Sequence, residues 1–188
     1  MNGQPTPVPQ YDKSAYSGLG DRAPESSWTV VNNNQPPRPN PIQVVLLEGW
    51  CVGFRPLPPA EVEAKWSSPN SITLHNHKLA HLQFINEQLR NYDPVWDLLD
   101  AFIHIDAEDT HYVYDWRLQQ EAGLRREKGV ANGMTDEQVI KFVDAYYPAY
   151  ELYLDGVRGG IFTAPEKKGH QLRLIVGKDR SVQDNIVI

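Results

Sequence analysis

The chain has 188 residues, enough for one domain with a sizeable core and too few for two full ones. Its 18 Lys and Arg against 24 Asp and Glu give a net charge of -6, which leaves no basic excess to neutralise a nucleic-acid backbone. A single cysteine, Cys51, excludes an intrachain disulfide and points to a reducing, cytoplasmic setting. No run reaches the roughly 18 apolar residues of a membrane span, and the polar start from Met1 to Gln10 lacks a signal peptide's apolar core.

Pro5, Pro7 and Pro9 remove alternate amide donors, so residues 1–10 are expected as an extended lead-in rather than a helix or central strand. The Asn and Pro run over 32–41 reads as an exposed loop between two ordered pieces. Ile42 to Leu47 is short, apolar and rich in β-branched residues, and Glu48-Gly49 ends it, as for a strand buried on both faces in a parallel sheet. Leu79, Leu82, Ile85 and Leu89 recur at helical spacing and predict an amphipathic helix over 77–91, closed by Tyr92-Asp93-Pro94. A short helical turn is expected over 95–99, then a strand from Ala101 to Ile105 that ends in Asp106.

A charged helix is expected from Thr110 to about Lys128, then a glycine-marked break at 129–133 and a fresh helix at Thr135. Thr135 with Gln138 makes a capping box, and Val139, Phe142, Val143, Tyr146 and Tyr150 form the stripe to be buried. Pro148 should kink or restart this helix. Leu172 to Val176 is the last clear strand, with a weaker one at 185–187. The class is α/β.

Glu48 falls at the C-terminal end of a buried run, where open α/β sheets place their ligands, and such a carboxylate can steer Mg²⁺ through water. A strand ending in Glu-Gly is equally an ordinary turn. His75, His77 and His81 have spacing that suits a metal, but no carboxylate or cysteine completes the set. They read as a solvent-facing helix start, and no direct metal ligand is assigned. Trp96, Trp116, Tyr146, Tyr147 and Tyr150 read as packing.

Six segments carry a resemblance, in order along the chain: Tyr11 to Arg22, Glu48 to Pro56, Ile85 to Pro94, Val113 to Glu121, Gly133 to Val139 and Tyr147 to Tyr153. They resemble the P-loop kinases that include plant and fungal glycerate kinases. That resemblance implies a doubly wound parallel sheet, as in the uridine kinase group, and transfer of the ATP γ-phosphoryl to a small alcohol or hydroxy acid, with D-glycerate the leading acceptor. ATP and Mg²⁺ are the implied cofactors, and neither nucleic acid nor membrane is an expected partner.

Carried over residue by residue, the resemblance sets Asp12, Lys13, Arg22 and Arg55 near the acceptor. Glu48 and Arg117 fall near the reacting phosphates, Arg117 within a lid-like region over about 110–134, and Asp179 and Arg180 near the nucleotide base. This chemistry also needs a glycine-rich loop that cradles the phosphates. No Gly-x-x-x-x-Gly-Lys-Ser/Thr occurs between Met1 and Ile188, and the aspartate that serves the family as base belongs upstream of Tyr11.

Residues 1–188 are therefore expected to be the C-terminal part of one P-loop kinase domain, an incomplete doubly wound sheet without the phosphate loop and the strand before it. Such a piece, from a truncated gene model, an alternative start or a degraded copy, should be unstable or aggregation-prone alone. The alternative is a non-catalytic remnant that binds a metabolite or a partner.

Overall fold

The computed structural model describes residues 4–12, 15–18, 20–32, 42–128 and 134–188. The Asn and Pro loop, apart from Asn32, and the glycine-marked break at 129–133 lie outside them. The chain divides into two units, Met1–Glu48 and Gly49–Ile188.

In the first unit, β1 (Thr6–Val8) pairs antiparallel with β4 (Thr29–Val31), and β2 (Tyr11–Asp12) pairs antiparallel with β3 (Asp21–Arg22). One helical turn, α1 (Ala15–Gly18), lies between β2 and β3 in the chain. Residues 6–8 of the expected lead-in are thus one strand of a ribbon. Pro7 sits opposite Val30, and a two-stranded ladder leaves each strand an outer edge, where a missing amide costs no pairing. Gly20 takes φ +78°, and a Cβ there would run into the Tyr11 ring, so both the backbone and the close approach require glycine.

The strand expected over 42–47 does not form. The residues run without a ladder, and Val44 and Leu46 are 81% and 86% exposed. A strand buried on both faces needs a neighbour along its edges, and no described strand offers this run one.

In the second unit, β5 (Phe102–Ala107), β6 (Gln171–Val176) and β7 (Val182–Val187) form a sheet in that order. β5 and β6 are parallel and β7 is antiparallel to β6, so the described sheet is mixed, with one parallel pair, rather than wholly parallel. Helices α2 (Pro59–Ser67), α3 (Leu79–Gln88) and α4 (Asp93–Trp96) precede β5, and α5 (Tyr112–Lys128) and α6 (Asp136–Gly159) cross from β5 to β6. Among the described residues no helix is long and apolar enough to cross a membrane.

The main core joins Phe54, Val62, Leu74 and Leu82 to Leu152, Tyr153, Val157 and Ile161 of α6 and the turn after it. A smaller core, Val139, Val143 and Tyr147, packs α6 on Val113, Tyr114 and Leu118 of α5. Leu79, Leu82 and Leu89 face the core as their spacing predicts, but Ile85 is 54% exposed and Asn86 is buried in its stead. The Asn86 amide bridges one backbone residue, accepting from Leu57 N at 2.8 Å and donating to Leu57 O at 2.8 Å. A polar side chain that satisfies two buried backbone groups belongs inside.

The capping box at the start of α6 is present: Gln138 N donates to Thr135 Oγ1 at 3.3 Å and Thr135 N to Gln138 Oε1 at 2.8 Å. Pro148 does not restart the helix, which runs on to Gly159. A helix-interior proline costs about 3 kcal/mol. Tyr147, Pro148 and Leu152 are all buried, and that packing offsets the lost hydrogen bond.

Candidate functional site

Parallel strands bring the loops that follow them to one end of a sheet, and here those loops are Glu108 to His111 after β5 and Gly177 to Ser181 after β6. The second closes on itself. Gly177 N donates to Ser181 O at 3.0 Å, Arg180 N donates to Gly177 O at 2.9 Å, and Asp179 Oδ1 accepts from Ser181 N and Oγ at 3.0 and 2.6 Å. These bonds hold the Asp179 carboxyl below its usual range.

The same turn is clamped to α5. Trp116 Nε1 donates to Lys178 O at 2.7 Å, Lys178 Nζ pairs with Asp115 at 2.6 Å, and Arg180 donates to Gln119 at 3.1 Å. Arg180, at φ +66°, lays its guanidinium over the Trp116 ring at 5.3 Å. A non-glycine residue in the left-handed region costs roughly 1–2 kcal/mol, and the stack and hydrogen bond offset it.

Arg117 points from α5 toward α6. It pairs with Glu121 at 2.7 Å, donates to Gln120 at 3.0 Å and lies over Phe142 at 4.9 Å. Glu121 is buried and also accepts from Met134 N at 3.0 Å, which ties the start of α6 to α5. Arg125 donates to Met134 O at 2.6 Å and to Asp136 at 2.8 Å.

Phe142 meets Tyr146 at 5.5 Å, and Tyr146 meets Trp50 at 5.1 Å, edge to face. Trp50 Nε1 donates to Tyr150 OH at 3.0 Å. Aromatic rings thus link Arg117 to the turn that begins directly after Glu48. That turn has Cys51 at φ +62° and Gly53 at φ +85°, and a Cβ on Gly53 would press on Ile161 and Phe102. Burial pushes the Cys51 thiol up to about 12.

Arg55 is held as a staple between elements: it pairs with Asp93 at 2.7 Å and Asp97 at 3.0 Å and donates to Ile161 O at 3.3 Å. In the first unit, Asp12 and Arg22 stand on paired strands, with Tyr11 opposite Arg22 and Asp12 opposite Asp21. The Arg22 guanidinium lies over Trp28 at 5.8 Å. Lys13 lies outside the described residues, and Glu48 ends the extended run 42–48.

Sequence reasoning missed the charge cluster beneath α6. Asp106, with a side chain 1% exposed, accepts from Arg158 at 2.8 and 2.9 Å and from Arg173 at 2.8 Å. Burial opposes its ionisation, but the two guanidiniums outweigh burial and hold the carboxyl below its usual range. The available signal was the pair His104 and Asp106, two residues apart on one face of an otherwise apolar strand. Among the described residues no group of three or more His, Cys, Asp or Glu is gathered to hold a metal.

No family model matches the chain. It is 43% identical over 148 residues to the chloroplastic D-glycerate 3-kinase of Arabidopsis thaliana, covering 78% of this chain and 28% of that protein. It is 35% identical over 173 residues to the uncharacterized kinase mug58 of Schizosaccharomyces pombe, covering 92% of this chain and 57% of the relative. The D-glycerate 3-kinase of Cryptococcus neoformans superposes with a TM-score of 0.84 at 36% identity, over 98% of this chain and 60% of that one.

The chain is a relative of the glycerate kinase-like kinases. It spans less than two thirds of each of these three relatives, and the agreement in fold extends over nearly all of its own residues.

Proposed function

We propose that this chain is the part of a kinase that carries the lid-like hairpin and the nucleotide-side turn, and that it serves ATP-dependent phosphotransfer to a small hydroxylated acceptor, with D-glycerate the leading candidate. The observation that carries the reading is the 43% identity to a D-glycerate 3-kinase across most of the chain. In this reading Glu48 steers Mg²⁺ through water. Arg117 neutralises charge that spreads over the transferring phosphoryl, and Arg180 and Asp179 border the nucleotide base. Asp12, Lys13 and Arg22 serve the acceptor. Arg55 contributes through the staple to Asp93 and Asp97, which orients the turn after Glu48.

Residues 1–188 contain no glycine-rich phosphate loop, so by themselves they are proposed to turn over no ATP. A cytoplasmic setting fits the lone, half-buried cysteine.

The test is a fusion in which the part of the fission-yeast kinase that precedes the matched region is joined ahead of residue 1. A coupled assay of ADP release with a panel of small alcohols and hydroxy acids should give turnover that depends on D-glycerate, and Arg117→Ala should lower kcat about 10²-fold or more. A folded fusion that binds ATP but shows no acceptor-dependent release contradicts the reading. The second reading, a non-catalytic metabolite- or partner-binding protein, is favoured by the absence of that loop from 1–188, and would be supported by that same outcome.

A further inference from the structure

The turn after β6 holds the Arg180 side chain more firmly than closing the turn requires. Gly177 N and Arg180 N close it through Ser181 O and Gly177 O, and neither bond involves the Arg180 guanidinium. A long arginine side chain on an exposed turn ordinarily keeps its rotamer freedom in solvent. Here the guanidinium lies over the Trp116 ring at 5.3 Å, and Nη1 donates to Gln119 at 3.1 Å. Among the described residues no group accepts from Nε or Nη2, so two of its nitrogens stay unspent in a fixed plane.

Trp116 does the fixing. Its Nε1 donates to Lys178 O at 2.7 Å, so the indole also grips the backbone of the turn two residues before Arg180. Tyr112, one helical turn earlier on α5, meets the indole at 5.9 Å. One side chain therefore sets where the turn sits against α5 and, through its ring face, where the guanidinium lies. The Lys178–Asp115 pair joins the same two elements, but both side chains are well exposed, and such a pair adds little. A clamp needed only to tie α5 to the sheet would be complete with the Trp116–Lys178 bond. That need explains neither the φ of +66° at Arg180 nor the stack that accompanies it.

A guanidinium with its plane set and donors to spare is prepared for a flat ligand with ring acceptors, because little freedom is lost when such a ligand binds. A nucleobase fits that description. A phosphate chain fits it less well, since the Asp179 carboxylate stands next to Arg180 in the same turn.

We infer that Trp116 is a positioning residue for the nucleotide base, acting through Arg180. The inference rests on the reading that sets Arg180 and Asp179 beside that base. It adds that two adjacent residues of α5 have separate tasks, Arg117 toward the phosphoryl group and Trp116 toward the base.

The test is nucleotide binding by the fusion described above, measured by equilibrium dialysis against labelled ATP and, separately, against labelled inorganic triphosphate, both with Mg²⁺. Trp116→Leu removes ring and N–H together and should weaken ATP binding about tenfold. Trp116→Phe keeps a ring face for Arg180 and should weaken it about threefold. Triphosphate has no base, so its affinity should be unchanged in both variants, whereas a merely structural loss would weaken both ligands alike. In turnover with D-glycerate, the KM for ATP should rise while kcat and the KM for D-glycerate hold. Melting curves check folding, and if Trp116→Leu does not fold, Trp116→Phe and Gln119→Ala, which removes the Nη1 acceptor, carry the test.

Unchanged ATP affinity in the folded variants, an equal loss for triphosphate, or a folded fusion that binds no ATP overturns the inference. A fusion that binds ATP with this dependence on Trp116 but releases no ADP with any acceptor upholds it, and contradicts the phosphotransfer reading instead.

Discussion

Two guanidiniums, from Arg158 and Arg173, share the buried carboxylate of Asp106, and Arg158 also reaches Ala107 O at 3.3 Å. Asp106→Asn removes the counter-ion the two share and should cost about 3–5 kcal/mol at neutral pH, measured by urea unfolding. The pH dependence has a definite sign. Asp106 titrates below its ordinary value of 3.8 in the folded chain, so its contribution is fully present above that value and is lost as pH falls through the folded one. The gap between wild type and Asp106→Asn should shrink on acidification. Asp109, Glu137 and Asp179 are depressed as well, but they remain in both proteins and cancel in the comparison. His104, lowered by burial and held up in part by Asp106, is coupled to the substitution and does not cancel, so the contradicting result is a gap that fails to shrink as pH falls below 3.8. Cys51 offers a second check at this scale: with its thiol pushed up to about 12 by burial, the folded chain should react with iodoacetamide at pH 8 at least about tenfold more slowly than the unfolded chain. Neither feature was legible beforehand, because the partners of Asp106 are 52 and 67 residues away and the burial of Cys51 depends on packing from α6.

Helix ends were more legible than helix faces. Thr135 and Gln138 announced the start of α6 by residue type alone, since the cap is made within four residues. Thr135→Ala should cost about 1 kcal/mol in thermal or urea unfolding. On α3 the apolar period put Ile85 in the core, whereas the structure buries Asn86, whose amide bonds the backbone of Leu57 29 residues earlier. Polarity patterns register side chains and not the backbone groups that a distant loop presents, so this reversal could not be read. It makes an asymmetric prediction for unfolding measurements: Ile85→Ala should change stability by less than about 0.5 kcal/mol, and Asn86→Leu should cost about 2–4 kcal/mol by stranding two backbone groups.

For the whole molecule, the informative surface is the outer edge of β5. Phe102 N donates to His170 O and Glu108 N to Val176 O, so even-numbered residues of β5 address β6 and Ile103, Ile105 and Ala107 turn their backbone groups outward. Ile103 and Ile105 are 61% and 70% exposed, and β5 carries none of the lysine, proline or bulge that usually blunts an edge. The 188-residue chain should self-associate with rising concentration in light scattering, and Ile105→Lys should reduce that association. The composition of 42–47 signalled a strand in a sheet interior, whereas the structure has an exposed run without a ladder, because pairing depends on a neighbour that composition cannot supply. The existence of β5 and β6, the two helices between them and the ordered likeness to glycerate kinase-like proteins were legible, because local periodicity and motif order carry them, whereas the β5–β6 pairing came only with the structure.

Phosphorus NMR of Mg-ATP with D-glycerate, run on residues 1–188 alone and on the fusion that carries the relative's N-terminal part, decides whether these residues complete a glycerate kinase. No new resonance is expected with 1–188, and a phosphoglycerate resonance should rise with ADP for the fusion. Phosphoglycerate formed by 1–188 alone, or a folded, ATP-binding fusion that forms none, would contradict the proposed function.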